Sequence, residues 1–239
     1  MWSHRSNPSG PLAPLLLSGG RLCGVVCLAA VGLGCSLAPA SPRVGATPSS
    51  SSEQVAELNQ RQRNLARPPL VDDGQYVWVE AQREFNVPPA VWWERFFAAP
   101  LSDILGPAPT FPGVKRTILL RGETWDHPGA RRRIEFHDGH SAIEELLAFD
   151  PPHTFRTQFW DLTSDDRRGV AHGTSRWTIT PLDDGQSSLV LWRYGLKPHN
   201  PIVGLVVRRK AEQEVRPDQL EASLQRLDGI VEPPTKAGN

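Results

Sequence analysis

The segment NVPPAVWWERFF, residues 86–97, joins a strand pattern to a helix pattern. An alternating apolar run precedes it, and its two adjacent prolines end that strand because proline cannot donate to a sheet ladder. Proline is also tolerated in the first turn of a helix. From Pro89 onward, Trp92 and Phe96 are four residues apart, and the next aromatic pair repeats that spacing on the same helical face. The segment predicts a strand and then a short helix whose apolar face needs a large apolar partner.

Composition limits the classes of protein that fit this chain. Its 239 residues allow one or two domains, and 26 basic residues against 26 acidic ones leave a net charge of zero. This balance argues against nucleic acid as a partner, because phosphate binders usually carry a basic excess. All three cysteines, Cys23, Cys27 and Cys35, lie in one apolar segment. The rest of the chain therefore has no disulfide framework, cysteine-ligated zinc or cysteine nucleophile.

The first 40 residues have the order of an export signal. Basic residues precede the apolar segment 22–40, whose apolar core has the length of a signal-peptide core and is short for a membrane-spanning helix. The segment resembles a bacterial lipoprotein signal with Cys35 as the lipidated residue, although Gly32 stands where leucine is usual. Cleavage after Ala38–Pro39–Ala40 and an uncleaved membrane anchor are the alternatives. The expected location is the cell envelope, with the protein exported and either lipid-anchored, periplasmic or extracellular.

The chain divides into four segments by composition. Residues 1–40 are the signal, and residues 41–74 are a Ser/Pro-rich tether in which residues 53–66 form either a spacer helix or a disordered link. Residues 75–231 are the folded domain, and residues 232–239 are a disordered tail.

Strand patterns recur through the folded domain, and a long helix closes it. Alternating runs cover residues 76–87, 114–122, 131–149, 153–163 and 175–196, and two of them contain an Asp–Gly turn. The helix runs from Pro201 to about Val231, with Pro217 either kinking it or starting a second helix. Its stripe consists of Leu220, Leu224, Leu227 and Val231. This order predicts an α+β domain in which a curved antiparallel sheet of six to seven strands grips the helix and leaves a pocket between them.

The same order resembles a known superfamily. VPPAVWWERFF after the first strand, FDPPHTF between middle strands, a hairpin ending in LVLWRY and the closing helix are similar to the START-like, or SRPBCC, superfamily. That superfamily includes polyketide cyclase and lipid transport proteins. The resemblance covers roughly residues 75–230 and implies the helix-grip fold with one or two short helices after the first strand. It also implies a cavity for a hydrophobic small molecule or lipid.

The Asp138–Gly139 hairpin supplies the main candidate for a polar site in that cavity. If these two residues are the whole loop, Arg132 lies opposite Glu145. The face that contains this pair consists of Arg132, Ile134, Phe136, Ile143, Glu145, Leu147 and Phe149, which is mostly apolar and is therefore the expected inner face. We expect Arg132 and Glu145 to pair in the cavity wall, because an unpaired buried charge is costly. The alternative is a pair at the rim that only closes the sheet.

The second hairpin allows two registers. A two-residue Asp184–Gly185 loop sets Trp177 opposite Trp192, but it also sets Arg176 opposite Arg193. A three-residue loop avoids this repulsion and is favoured on that ground. Trp177 points inward in both registers, whereas Trp192 and Tyr194 do so only in the first. The expected ligand-binding residues are therefore Trp92, Phe96, Arg132, Ile134, Phe136, Glu145 and Trp177.

Neither a metal nor a cofactor is expected. His137 and His140 flank a turn, and four other histidines, His127, His153, His172 and His199, lie in predicted loops. The signatures of acyl transfer, zinc proteolysis and nucleotide binding are missing from the folded domain. A basic cluster, Arg208–Lys210, either contacts anionic lipid or is a solvated helix face.

Three hypotheses of function follow. The first is an exported, membrane-tethered protein that holds a hydrophobic small molecule or lipid without catalysis. The second is an enzyme of the polyketide cyclase or aromatase type, which would need acid–base groups in the cavity such as Arg132, Glu145 or a tyrosine. The third is an interaction protein of the cell envelope whose interior is filled by its own side chains.

Overall fold

The computed structural model describes residues 51–164 and 168–232, which contain an antiparallel sheet of seven strands. The strands are β1 (Val77–Phe85), β2 (Val114–Arg121), β3 (Arg131–Phe136), β4 (Ser141–Asp150), β5 (Thr154–Trp160), β6 (Val170–Leu182) and β7 (Ser187–Pro198). The helices are α1 (Ser51–Asn64), α2 (Pro89–Ala98), α3 (Leu101–Ile104), α4 (Pro201–Lys210) and α5 (Ala222–Val231). Consecutive strands from β2 to β7 are neighbours, and β1 pairs with β7.

The C-terminal helix, Pro201–Val231, is continuous. A π-helical segment, Ala211–Glu221, joins α4 to α5 and contains Pro217. Proline removes one backbone donor from a helix, and the wider π-helical turns surround that position. The stripe Leu220, Leu224, Leu227 and Val231 is buried in the core, as its spacing predicts. The predicted α+β class and helix-grip arrangement are confirmed.

The join between β1 and α2 has the predicted form. β1 ends at Phe85 and α2 begins at Pro89. The rings of Trp92 and Phe96 stack with their centroids 4.8 Å apart, and Phe96 lies 5.1 Å from Trp177 on β6. The aromatic face of α2 therefore packs into the same core as the C-terminal helix.

The chain before β1 packs on the other face of the sheet. Arg131, on β3, donates from Nη1 to the backbone carbonyls of Gln62, Arg63 and Leu65 at the end of α1. These carbonyls have no partner within the helix, and a cation is favourable at a helix C-terminus. Residues 53–66, expected to be a spacer helix or a disordered link, are helical as far as Asn64.

The predicted signal, residues 1–40 with Cys35, lies outside the described residues, as does the chain after Glu232. Within residues 51–164 and 168–232, no helix is both long enough and apolar enough to cross a membrane.

Candidate functional site

A cavity of about 160 Å³ lies between the sheet, the α2–α3 region and the π-helical segment. Five of the seven expected ligand-binding residues line it: Phe96, Arg132, Ile134, Phe136 and Trp177. Trp92 does not line the cavity, because it is fully buried in the core and stacks against Phe96. Glu145 does not line it either, and the register of the first hairpin gives the reason.

The first hairpin turns through three residues rather than two. Gly139, with a φ of 86°, closes the turn in the left-handed region. β3 and β4 then pair with Arg132 opposite Glu144, and Arg131 lies opposite Glu145. The predicted register is wrong by one residue, and such a shift moves every side chain of a strand to the other face. Glu144 therefore faces the cavity in place of Glu145.

A bulge in β4 restores part of the prediction further along the strand. The pairing with β5 passes from Leu146–Thr157 to Ala148–Arg156, which leaves Leu147 unpaired. One extra residue reverses the alternation of faces. Phe149 thereby returns to the inner face, where its ring centroid lies 5.1 Å from that of Trp93.

Arg132 and Glu144 form an ion pair in the cavity wall. Nε and Nη2 of Arg132 both approach Oε2 of Glu144, at 2.8 and 2.6 Å. The two side chains are only 14% and 11% exposed. The guanidinium also lies 4.0 Å from the centre of the Trp125 ring, a favourable cation–π distance. The cavity wall therefore contains a charge-balanced ion pair close to aromatic side chains such as Trp125 and Phe136.

Glu145 belongs to a separate network on the opposite face. Its carboxylate lies 2.6 Å from Nη2 of Arg131 and 3.2 Å from Nε of Arg67. Arg67 also donates to Gln158, whose side-chain amide donates to the carbonyl of Pro68. This network ties the segment after α1 to the sheet and has no access to the cavity.

Two buried polar atoms in the cavity wall have no hydrogen-bond partner among the described residues. They are Oγ1 of Thr157 on β5 and Oε1 of Gln219 in the π-helical segment. Ser175 also lines the cavity, and its Oγ accepts from Nε1 of Trp192 at 2.8 Å. Buried polar groups are rarely left unpaired, so Thr157 and Gln219 are positions at which a ligand or water is expected to bond. Gln219 Oε1 accepts only, so its partner must be a donor.

The second hairpin adopts the register that the sequence disfavours. Trp177 lies opposite Trp192, with ring centroids 4.3 Å apart, and Arg176 lies opposite Arg193. The preference for a three-residue loop is wrong. A loop of four residues, 183–186, connects the strands. Trp192 and Tyr194 therefore point inward and line the cavity.

The repulsion between the two arginines is relieved by acidic residues outside the hairpin. Nε of Arg193 lies 3.4 Å from Glu80 on β1, and Nη1 of Arg176 lies 4.0 Å from Asp73. The guanidinium of Arg193 also covers the ring of Trp78 at 4.6 Å. None of these partners is adjacent in sequence to the hairpin that they stabilise.

Sequence reasoning also missed Thr157, Ser175 and Gln219. The alternation of side chains along β5 could have indicated Thr157, since it lies midway between Phe155 and Phe159 and shares their face of the sheet. Gln219 lies beside the leucine stripe of the helix, and no local pattern distinguishes it from a surface residue.

His172, expected in a loop, lies within β6 on the face turned away from the cavity. It is buried, and its Nε2 lies 3.3 Å from the hydroxyl of Tyr76. Burial lowers the pKa of His172, and the positive charge of Lys197 lowers it further. Within residues 51–164 and 168–232, no three histidine, cysteine or acidic side chains are grouped to hold a metal ion.

Comparison with known families agrees with this geometry. A family model described as polyketide cyclase / dehydrase and lipid transport matches residues 77–232, from the first residue of β1 to just beyond α5. The chain belongs to this family. The fold of the polyketide cyclase and lipid transport family is one that binds hydrophobic ligands. The family match leaves α1 outside its bounds.

Solved structures with a similar fold come from several organisms. A protein from Thermobifida fusca is 20% identical with a TM-score of 0.47, and the match covers 65% of this chain and 95% of that one. A protein from Arthrobacter aurescens is 11% identical with a TM-score of 0.48, covering 72% and 95%. A norcoclaurine synthase mutant from Thalictrum flavum is 14% identical with a TM-score of 0.45, covering 64% and 90%. Among curated proteins, no match was found.

Proposed function

We propose that this protein binds a small, mainly apolar molecule in the cavity, with a polar group of that molecule directed at the Arg132–Glu144 pair. The observation that supports the proposal is this ion pair in a wall that also contains the aromatic side chains of Phe96, Trp177 and Trp192. Ligand sites commonly combine an apolar lining with a few fixed polar groups that orient the ligand.

The size of the cavity restricts the ligand. A cavity of about 150 Å³ accommodates a benzene-sized guest. The volume here, about 160 Å³, therefore suits a molecule of one or two rings, or one end of a longer chain, better than a whole diacyl lipid. An open volume of this size also favours a binding protein over an interaction protein with a filled interior.

The unpaired atoms refine the chemistry of the ligand. Thr157 and Gln219 offer a hydroxyl and a carbonyl oxygen at the wall, and the guanidinium of Arg132 offers donors. A ligand with a hydroxyl group can donate to Gln219 and accept from Arg132. A phenol-like molecule fits this set better than a pure hydrocarbon.

Binding is tested with 1-naphthol, followed through the fluorescence of the cavity tryptophans. Ala142 is buried and lines the cavity, whereas Ala148 on the same strand is exposed. Ala142→Leu should remove binding by filling the cavity, and Ala148→Leu should leave binding unchanged. Mass spectrometry of protein extracted from its native host should find a small molecule that Ala142→Leu lacks. If 1-naphthol binds neither the wild type nor the variants and no molecule is extracted, the proposal fails.

We further propose that the domain is exported and held at the membrane by its N-terminal segment. The support is the order of basic, apolar and Ser/Pro-rich residues with Cys35 near the end of the apolar run. Labelling of the native protein with a radioactive fatty acid, compared with Cys35→Ser, tests lipidation. Incorporation that is equal in both proteins contradicts lipidation at Cys35.

A further inference from the structure

α4 has an apolar face that no described residue covers. Ile202, Leu205 and Val206 are 82%, 73% and 60% exposed, while Val203 and Val207 pack towards the core. Side chains spaced by three and four residues share one helical face, so the three exposed residues form a single surface. Isolated exposed apolar residues are ordinary, whereas a contiguous group marks an interaction site. We name Ile202, Leu205 and Val206 the α4 patch.

Positive charge borders the α4 patch. Arg208 and Arg209 are exposed, and Arg209 follows Leu205 and Val206 by one turn of the helix. α4 contains three basic residues and no acidic one, although the whole chain has a net charge of zero. Apolar side chains beside arginines complement a bilayer with anionic headgroups. The apolar groups enter the acyl boundary, and the cations remain among the phosphates.

We propose that the α4 patch docks on an anionic lipid bilayer. A second copy of the chain is the other natural partner for an apolar surface, and a symmetric dimer would place the same surface on both subunits. Pro201–Lys210 of a second copy has no acidic residue to meet Arg208 and Arg209, and Glu212 in the next turn already pairs with Arg216. A bilayer supplies both the apolar environment and the negative charge.

Docking at the α4 patch places the cavity close to the lipid. Lys210, the last residue of α4, lines the cavity, as do Glu214 and Gln219 in the following turns. The cavity wall thus begins about one helical turn beyond Val206. This arrangement suits exchange of an apolar ligand between the bilayer and the protein.

The test uses the full chain reconstituted with vesicles and labelled by a photogenerated carbene. One vesicle preparation contains phosphatidylcholine alone, and the other also contains phosphatidylglycerol. We expect labelling of the α4 patch to fall with the anionic vesicles, while exposed Leu70 and Leu119 elsewhere keep their labelling. Because the readout is specific to each residue, attachment through the N-terminal segment does not produce this pattern. Unchanged labelling of the α4 patch in both preparations overturns the proposal.

A charge variant with a matched control tests the role of the arginines. Arg208→Gln/Arg209→Gln should weaken docking on anionic vesicles about 30-fold, since each basic residue near such a surface contributes about 1 kcal/mol. Arg61→Gln/Lys115→Gln removes the same charge from exposed positions elsewhere and should leave docking unchanged. Equal losses in both double variants would show attraction by the overall charge and overturn the proposal. Labelling of the α4 patch that depends on the protein-to-lipid ratio rather than on lipid charge would show that a second copy covers the patch. That result would also overturn the proposal.

Discussion

Arg132 and Glu144 face each other across β3 and β4 and form a 2.6 Å ion pair in the cavity wall. The adjacent residues, Arg131 and Glu145, repeat the pair at 2.6 Å on the opposite face of the sheet. Two pairs of the same chemistry, one residue apart, therefore have different surroundings. The first borders the cavity, and the second borders α1. Only substitution of Glu144 should therefore change ligand binding, whereas substitution of either glutamate should lower stability.

Glu144→Gln should weaken binding of 1-naphthol by about tenfold or more, because Arg132 loses the carboxylate that fixes its guanidinium. Stability should fall by roughly 1–3 kcal/mol, below the full cost of breaking a buried pair, since both side chains retain some exposure. Fluorescence titration and urea unfolding measure the two effects. Naphthalene, which lacks the hydroxyl, is the control ligand and should bind the variant and the wild type equally. Equal affinity of both proteins for 1-naphthol would show that the ion pair does not take part in ligand binding.

Glu145→Gln should loosen α1 and leave the cavity intact. Its partner Arg131, which also donates to the α1 carbonyls, is only 3% exposed and would be left buried with a neutral partner. Arg67, in the segment after α1, would lose its carboxylate partner as well. We expect a loss of about 2–4 kcal/mol. Limited trypsin digestion should cut faster after Arg63, while affinity for 1-naphthol stays at the wild-type value. A change in that affinity larger than the change for Glu144→Gln would reverse the assignment of the two faces.

The order of elements was predictable because local sequence patterns indicate each helix and strand. Two prolines end β1 and admit α2, and the leucine stripe from Leu220 to Val231 defines the buried face of α5. The resemblance to the START-like superfamily rested on the same order. Such patterns depend on residues a few positions apart, so a single sequence contains them.

The register of the hairpins was not predictable in the same way. An Asp–Gly pair fits both a two-residue and a three-residue turn, and the choice at Gly139 decides whether Glu144 or Glu145 faces the cavity. The second hairpin tolerates Arg176 opposite Arg193 because Asp73 and Glu80 approach from a distant part of the chain. Site residues such as Gln219 likewise depend on contacts between elements, which sequence spacing alone does not reveal.

Two glycines should respond to alanine in opposite directions. Gly139 has a φ of 86°, and although an added methyl group would have open space around it, alanine is strained in that region by about 1–2 kcal/mol. Gly229 lies in α5 with ordinary helical geometry and open space, so Gly229→Ala should stabilise the protein by about 0.5–1 kcal/mol. Urea unfolding compares both with the wild type. Destabilisation of equal size at both positions would contradict the assigned turn.

His172 should make the protein less stable in mild acid. Burial lowers the pKa of His172 in the folded state, so the unfolded chain, with a histidine pKa of about 6.5, takes up a proton first as the pH falls. Neutral His172 makes its full contribution to the free energy of unfolding above a pH of about 6.5. That contribution is lost as the pH falls from there to the folded-state pKa. Tyr76 and Lys197 face the ring, and the charge of Lys197 opposes protonation. Urea unfolding between neutral and mildly acidic pH should show a decline for the wild type that His172→Gln reduces. His153→Gln makes the same change at an exposed position and should leave the decline in stability unchanged. A decline of wild-type size in His172→Gln would show that other groups cause it.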